Sequence, residues 1–227
     1  MQTYIGESHI LQGMSFDVAP GRVTVLLGRN GAGKTTTLRS ILGLTPAALG
    51  SIQFGRTDII RMPVHQIVRQ GIGYVPEDRD VFGGLTVAQN LTLAQRPGAS
   101  RERLALAFRL FPDLERRHAQ HAGSLSGGQQ QMLAIARALV NDNQLLLIDE
   151  PSKGLAPVVV NEVTEALTAV KGTTTILLVE QNLAMARALG DDAVIVDNGQ
   201  VVFAGSMDAV AHDEALQTRY LGIGKNR

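Results

Sequence analysis

The run Gly28-Arg29-Asn30-Gly31-Ala32-Gly33-Lys34-Thr35 limits the possible folds of this chain more than any other stretch. An apolar β-type segment, Val23–Leu27, leads into it, and a helical pattern over residues 36–42 leads out. A strand, a glycine-rich turn and a helix in that order form a phosphate-binding loop. The glycines let the backbone close around a polyphosphate with its N–H groups turned inward. The following helix adds the partial positive charge of its N-terminus. In that setting the Lys34 ammonium reaches the β- and γ-phosphates and the Thr35 hydroxyl holds Mg²⁺. The pattern predicts a nucleoside triphosphate cradled by Gly28, Arg29, Asn30, Gly31, Ala32, Gly33, Lys34, Thr35 and Thr36.

With 227 residues, the chain is long enough for one α/β domain with a sizeable core. Lys plus Arg and Asp plus Glu number 21 each, a balance that argues against a surface built for nucleic acid. There are no cysteines, which excludes disulfides and thiolate zinc sites. No apolar run approaches the ~18–20 residues that span a bilayer, and the first residues lack the features of a signal peptide. A protein soluble on its own, reaching membranes only through partners, is the expectation.

Strand-like runs fall at 14–18, 23–27, 51–54, 72–75, 145–148, 174–179, 193–196 and 201–203. Several are continuously apolar, as strands covered on both faces are. The segment 78–140 instead reads as helices at 86–95, 101–110 and 127–140. The expected architecture is a single α/β unit over 1–227 with a mixed, largely parallel sheet. Its core is formed by 1–77 and 141–227, and 78–140 is an inserted helical subdomain.

Two further motifs carry chemistry. Leu145-Leu146-Leu147-Ile148-Asp149-Glu150 is a buried strand ending in two carboxylates, which places them at the ligand crevice of a parallel sheet. Asp149 is the candidate to orient Mg²⁺ and Glu150 the candidate to take a proton from an attacking water. In Leu125-Ser126-Gly127-Gly128-Gln129, Ser126 suits a helix N-cap and the glycines expose the first N–H groups of a second anion-binding terminus.

In this order and spacing the three motifs resemble the ATP-binding subunit of an ABC transporter, a P-loop NTPase, over nearly the whole chain. The resemblance implies that two ATP molecules are buried in a head-to-tail dimer. In that dimer Ser126, Gly127, Gly128 and Gln129 of one chain face the γ-phosphate held by the loop of the other. It places Tyr4 where an aromatic stacks on adenine, although no strand-like run precedes it here. Glu77 stands where most relatives carry a Gln that links Mg²⁺ to the membrane-facing groove; its carboxylate is a candidate to ligate Mg²⁺ or accept from its waters, but cannot donate when ionised. Gln181 stands where most carry a His on the γ-phosphate, and Ala156 replaces a frequent Asp in the interface loop. The five histidines, His9, His65, His118, His121 and His212, read as surface or loop residues.

Glu77 and the pair Gln181-Asn182 are similar to the ATP-binding subunits of branched-chain amino acid and urea importers. By that resemblance the chain would be an ATPase using ATP and Mg²⁺ at the cytoplasmic face of the inner membrane. It would work with two transmembrane permease subunits, a second similar ATPase chain or a second copy, and indirectly a periplasmic solute-binding protein. A soluble ABC-type ATPase uncoupled from transport, and a catalytically weak regulatory nucleotide-binding module, are the competing readings. Absent basic arms, zinc cysteines and a second ATPase domain weigh against the first, and intact Lys34, Asp149 and Glu150 against the second.

Overall fold

The computed structural model describes residues 1–222, so the last part of the expected core segment 141–227 lies outside the described residues. The chain opens with an antiparallel hairpin, β1 (Gln2–Ile5) and β2 (Ser8–Gln12). Next come β3 (Val23–Leu27), α1 (Lys34–Ile41), a short second hairpin of β4 (Gln53–Phe54) and β5 (Thr57–Asp58), and α2 (Val64–Arg69). Strand β6 (Ile72–Val75) precedes a helical stretch of α3 (Val87–Ala94), α4 (Arg101–Leu110), α5 (Pro112–Arg116) and α6 (Gly127–Leu139). The chain then alternates through β7 (Leu145–Asp149), α7 (Pro157–Val170), β8 (Thr175–Val179) and α8 (Leu183–Leu189). Finally β9 (Asp192–Asp197) and β10 (Gln200–Ser206) lead into α9 (Met207–His212).

The main sheet runs β10-β9-β3-β8-β7-β6; only the edge strand β10 is antiparallel to its neighbour. Its central strands β3, β8 and β7 are apolar but for Thr24, Thr175 and the terminal Asp149, because both faces are covered, and successive side chains alternate between two cores. Val23, Val25, Leu146, Ile148, Ile176 and Leu178 enter the core shared with α6, α7 and α8. Leu26, Leu145, Leu147, Leu177 and Val179 enter the core shared with α1 and β2. Helix α6 contributes Leu133 and Ile135, both fully buried, each stabilising the fold by about 1.5–3 kcal/mol relative to exposure.

The run 14–18, expected as a strand, forms none. Met14 is buried and Phe16 and Val18 are half-buried against the second core while Ser15 and Asp17 face out, so the period-two pattern is real. A ladder needs paired backbone as well as a pattern; no residue of 14–18 lies in a strand, and the Met14 carbonyl accepts from the Met1 ammonium instead. This run lines a cleft of about 730 Å³ at the amino ends of β7 and β8, together with Ile52, Phe54 and Leu145. The expected run 51–54 shortens to β4, while β1, α2 and α5 are elements the sequence reading did not anticipate.

Within the helical stretch, Asn90 is a buried polar side chain at 0% exposure. Its Oδ1 accepts from Phe82 N at 3.0 Å, and its Nδ2 donates to the carbonyls of Phe82, Leu85 and Thr86. That clamp closes the loop between β6 and α3. Asn90→Ala removes all four bonds at a fully buried position. The three carbonyls keep the backbone donors Leu85 N, Ala122 N and Asn90 N, whereas Phe82 N loses its acceptor. The protein is expected to lose about 1–3 kcal/mol, with the α3 cap at Thr86 left in place. Urea denaturation checks this: a midpoint unchanged from the parent would refute the clamp.

Candidate active site

The strand order places the carboxyl ends of β3, β8, β7 and β6 side by side, about 4.8 Å apart at each step. Each end carries one predicted group. Loop 28–36 follows β3, Gln181 follows β8, Asp149 and Glu150 end β7, and Glu77 lies just beyond β6. Ligand crevices of parallel sheets form at such an edge.

Two loop glycines are required by contact as well as by conformation. At Gly28, φ is 149° and an added Cβ would lie 2.3 Å from the Val196 carbonyl oxygen. At Gly33, φ is 107° and an added Cβ would lie 2.8 Å from Leu11 Cδ2. Gly33 caps α1 without a side-chain hydrogen bond, so no side-chain oxygen of its own competes for the helix N-terminus. Lys34 is buried, and its Nζ donates to the carbonyls of Gly28 and Arg29, each at 3.0 Å, with Glu150 Oε1 at 3.8 Å. Burial lowers the pKa of this ammonium, while Glu150 and Asp149 oppose the shift. The charge sits where the polyphosphate cradle closes.

The Thr35 hydroxyl donates to Asp149 Oδ1 at 3.1 Å. Asp149 is fully buried, and among the described residues its other oxygen, Oδ2, has no hydrogen-bond partner. Burial raises its pKa to about 6; the Thr35 bond opposes this, and the carboxylates of Glu77 and Glu150 add to it. A buried, partnerless carboxylate oxygen beside a hydroxyl fits a hard divalent cation such as Mg²⁺. Among the described residues no cluster of three or more His, Cys, Asp or Glu forms a protein cage. Mg²⁺ at phosphate sites needs none, using one or two protein oxygens and the phosphates.

Glu150 is 8% exposed and adopts φ 45°, a left-handed conformation uncommon for a residue with a side chain. The conformer is held by Glu150 N donating to the Val179 carbonyl at 2.9 Å and by Lys153 N donating to the Glu150 carbonyl at 3.1 Å. Its side chain accepts from Gln181 Nε2. A carboxylate fixed between a neutral amide and an ammonium can accept a proton from a water held at the phosphate.

The other expected positions are more varied. Glu77 forms an ion pair with Lys153, a partner 76 residues away in sequence. Tyr4 lies in β1 with its ring stacked on His9, centroids 4.2 Å apart. His9 is therefore a half-buried strand residue, correcting its reading as surface or loop, whereas His65, His118, His121 and His212 are exposed. Ser126 caps α6 in a reciprocal box: its hydroxyl accepts from Gln129 N, and Gln129 Oε1 accepts from Ser126 N. Gln129 Nε2 also donates to Asp113, while Gly127 sits under the Arg79 guanidinium. Among the described residues no hydrogen bond or ion pair joins residues 126–129 to loop 28–36.

Glu180 and Lys153 are the site residues that sequence reasoning missed. Glu180 is a carboxylate at 1% exposure, and its signal is an acid directly after the apolar run of β8, beside Gln181. Lys153 gave no signal, since its partner is set by the fold.

The chain matches the family model described as ABC transporter over residues 11–153. It is 38% identical over 226 residues to the high-affinity branched-chain amino acid transport ATP-binding protein BraG of Pseudomonas aeruginosa, covering 98% of this chain and 97% of that one. It is 35% identical to the probable branched-chain amino acid transport ATP-binding protein LivF of Archaeoglobus fulgidus, over 96% and 94% of the two chains. The lipopolysaccharide export system ATP-binding protein LptB of Escherichia coli is 32% identical, over 94% and 91%. Among solved structures, the ATP-binding subunit of an ABC transporter superposes with a TM-score of 0.83 at 30% identity, covering 97% of this chain and 93% of that one. Motifs, chain length and fold agree, and the chain belongs to the ABC transporter family.

Proposed function

We propose that this chain is the ATP-hydrolysing motor of an ABC importer for branched-chain amino acids or related polar amides. It would be held at the cytoplasmic face of the membrane by two permease subunits. The observation that carries the reading is the alignment of Lys34, the Thr35–Asp149 pair and the Glu150–Gln181 pair on neighbouring strand ends. The names of BraG and LivF support the solute class. No described helix is long and apolar enough to cross a membrane, which is consistent with attachment through partners.

In this mechanism loop 28–36 wraps the triphosphate and Lys34 turns from the carbonyls of Gly28 and Arg29 to the β- and γ-phosphates. Thr35 and Asp149 would hold Mg²⁺, which supplies charge neutralisation on the phosphate oxygens when bound. Glu150 takes the proton of the attacking water, and Gln181 donates its amide to Glu150 or to a phosphate oxygen without titrating. Tyr4 stacks on the adenine. Residues 126–129 of a second chain complete the site, so each chain supplies half of two sites. Residues 78–140 act as the helical subdomain, and its segment 78–95 passes closure to the permease through a groove near Glu77. The partner in the dimer is a second, similar ATPase chain or a second copy of this one, and a periplasmic solute-binding protein feeds the permeases. Nucleotide favours the closed dimer, and that difference in affinity drives the cycle.

The test is reconstitution. The chain would be co-purified with the permease subunits encoded beside it, placed in lipid vesicles and given a solute receptor loaded with leucine or with urea. ATP-dependent solute uptake with stimulated hydrolysis is expected. Hydrolysis that ignores every loaded receptor would overturn the importer reading.

A further inference from the structure

Glu180 is the most deeply buried carboxylate that the mechanism above leaves unused, at 1% exposure. Its Oε1 accepts from Ser152 N at 3.0 Å, and its Oε2 accepts from both Gln181 N and Asn182 N at 2.7 Å. The donors belong to two different loops. Ser152 follows Glu150 at the end of β7 and opens the 152–156 segment, whereas Gln181 and Asn182 follow β8 and lead into α8. Asn182 is in turn the N-cap of that helix, its Oδ1 accepting from Met185 N at 3.1 Å. One carboxylate therefore ties the loop carrying Glu150 to the loop carrying Gln181, and the two side chains meet where Gln181 Nε2 donates to Glu150 Oε1.

We propose that Glu180 is a positioning residue for hydrolysis: by bridging the backbones of Ser152, Gln181 and Asn182 it sets the Gln181 amide against Glu150. The inference rests on the reading of Glu150 as base and Gln181 as its neighbour at the γ-phosphate. The chemistry is specific. Three backbone N–H groups point at the two oxygens, with the Ser152 hydroxyl beside them, so an amide of the same shape must turn its NH₂ toward at least one N–H donor and lose that bond. A shift of about 1 Å in a reacting group costs about 100-fold in rate. Loop 28–36, the nucleotide cradle, donates no hydrogen bond to the Glu180 side chain, so binding is left alone.

The experiment measures steady-state ATPase of the assembled transporter together with ATP affinity and thermal melting. The variants are Glu180→Gln, Glu180→Asp, Gln181→Ala and the double variant Glu180→Gln with Gln181→Ala. Glu180→Gln is expected to lower kcat about 10- to 100-fold with KM and ATP affinity within about twofold. In the Gln181→Ala background the same change is expected to move kcat less than about twofold, because the group being positioned is gone. Glu180→Asp keeps the charge and the fold but is one methylene too short to bridge both loops, so it should reproduce the kcat loss if the Gln variant folds poorly. An unchanged kcat in the Glu180 variants beside a damaged Gln181→Ala overturns the positioning role alone. An equal loss in both backgrounds also overturns it, marking Glu180 as merely structural. A silent Gln181→Ala overturns it together with the assigned role of Gln181.

Discussion

Glu150→Gln will bind ATP as well as the parent and turn it over about 10³-fold more slowly. The side chain is 8% exposed, is held in place by the Gln181 amide and lies 3.8 Å from Lys34 Nζ. Gln has the same shape, and its carbonyl oxygen still accepts from Gln181. What it lacks is basicity. A positioned general base contributes about 10²–10⁴ in rate, or roughly 3–5 kcal/mol of barrier. With hydrolysis blocked and binding intact, the nucleotide-closed pair of chains has no route back to the open state. Light scattering after size exclusion of the variant together with its dimer partner should then show a two-chain particle in ATP that is absent in ADP. Brisk turnover by this variant would remove Glu150 as the base.

Lys34→Ala acts on the earlier step. The ammonium is buried at 5% exposure and hydrogen-bonded to two loop carbonyls, so it is pre-placed for the phosphates without a search through rotamers. A charge-assisted hydrogen bond is worth about 1.5–3 kcal/mol, which converts to roughly 10- to 100-fold in Kd. The loss of a cation also leaves Glu150 and Asp149 facing an incoming polyanion with less compensation. Titration with a fluorescent ATP analogue measures the effect directly. A Kd within twofold of the parent would refute the contact between Lys34 and phosphate.

Much of this site was legible because its signals are local. Loop 28–36, the acid pair after β7 and the cap at Ser126 are each set by residues adjacent in sequence, and backbone rules apply to them directly. The five parallel strands were legible because burial on both faces leaves continuous apolar runs. What escaped depends on pairs distant in the chain. Lys153 meets Glu77 only because β6 and β7 are neighbours, and Glu180 gathers its donors from two loops. Residues 14–18 carry the alternation of a strand without its pairing, since periodicity reports which side chains turn inward and nothing more. Hairpin β1–β2 had the reverse fault: Tyr4 and Ile5 both stay exposed, so its pattern never alternated.

The pairing of β7 with β6 on one side and β8 on the other works as a ruler with no slack. Deleting one residue from it would retract the acid pair by about 3.3 Å and swap the faces on which Asp149 and Glu150 emerge. At the far side of the sheet the turn Gly172-Thr173 is exposed, so an extra residue there would leave the acid pair in register and never reach the fuel.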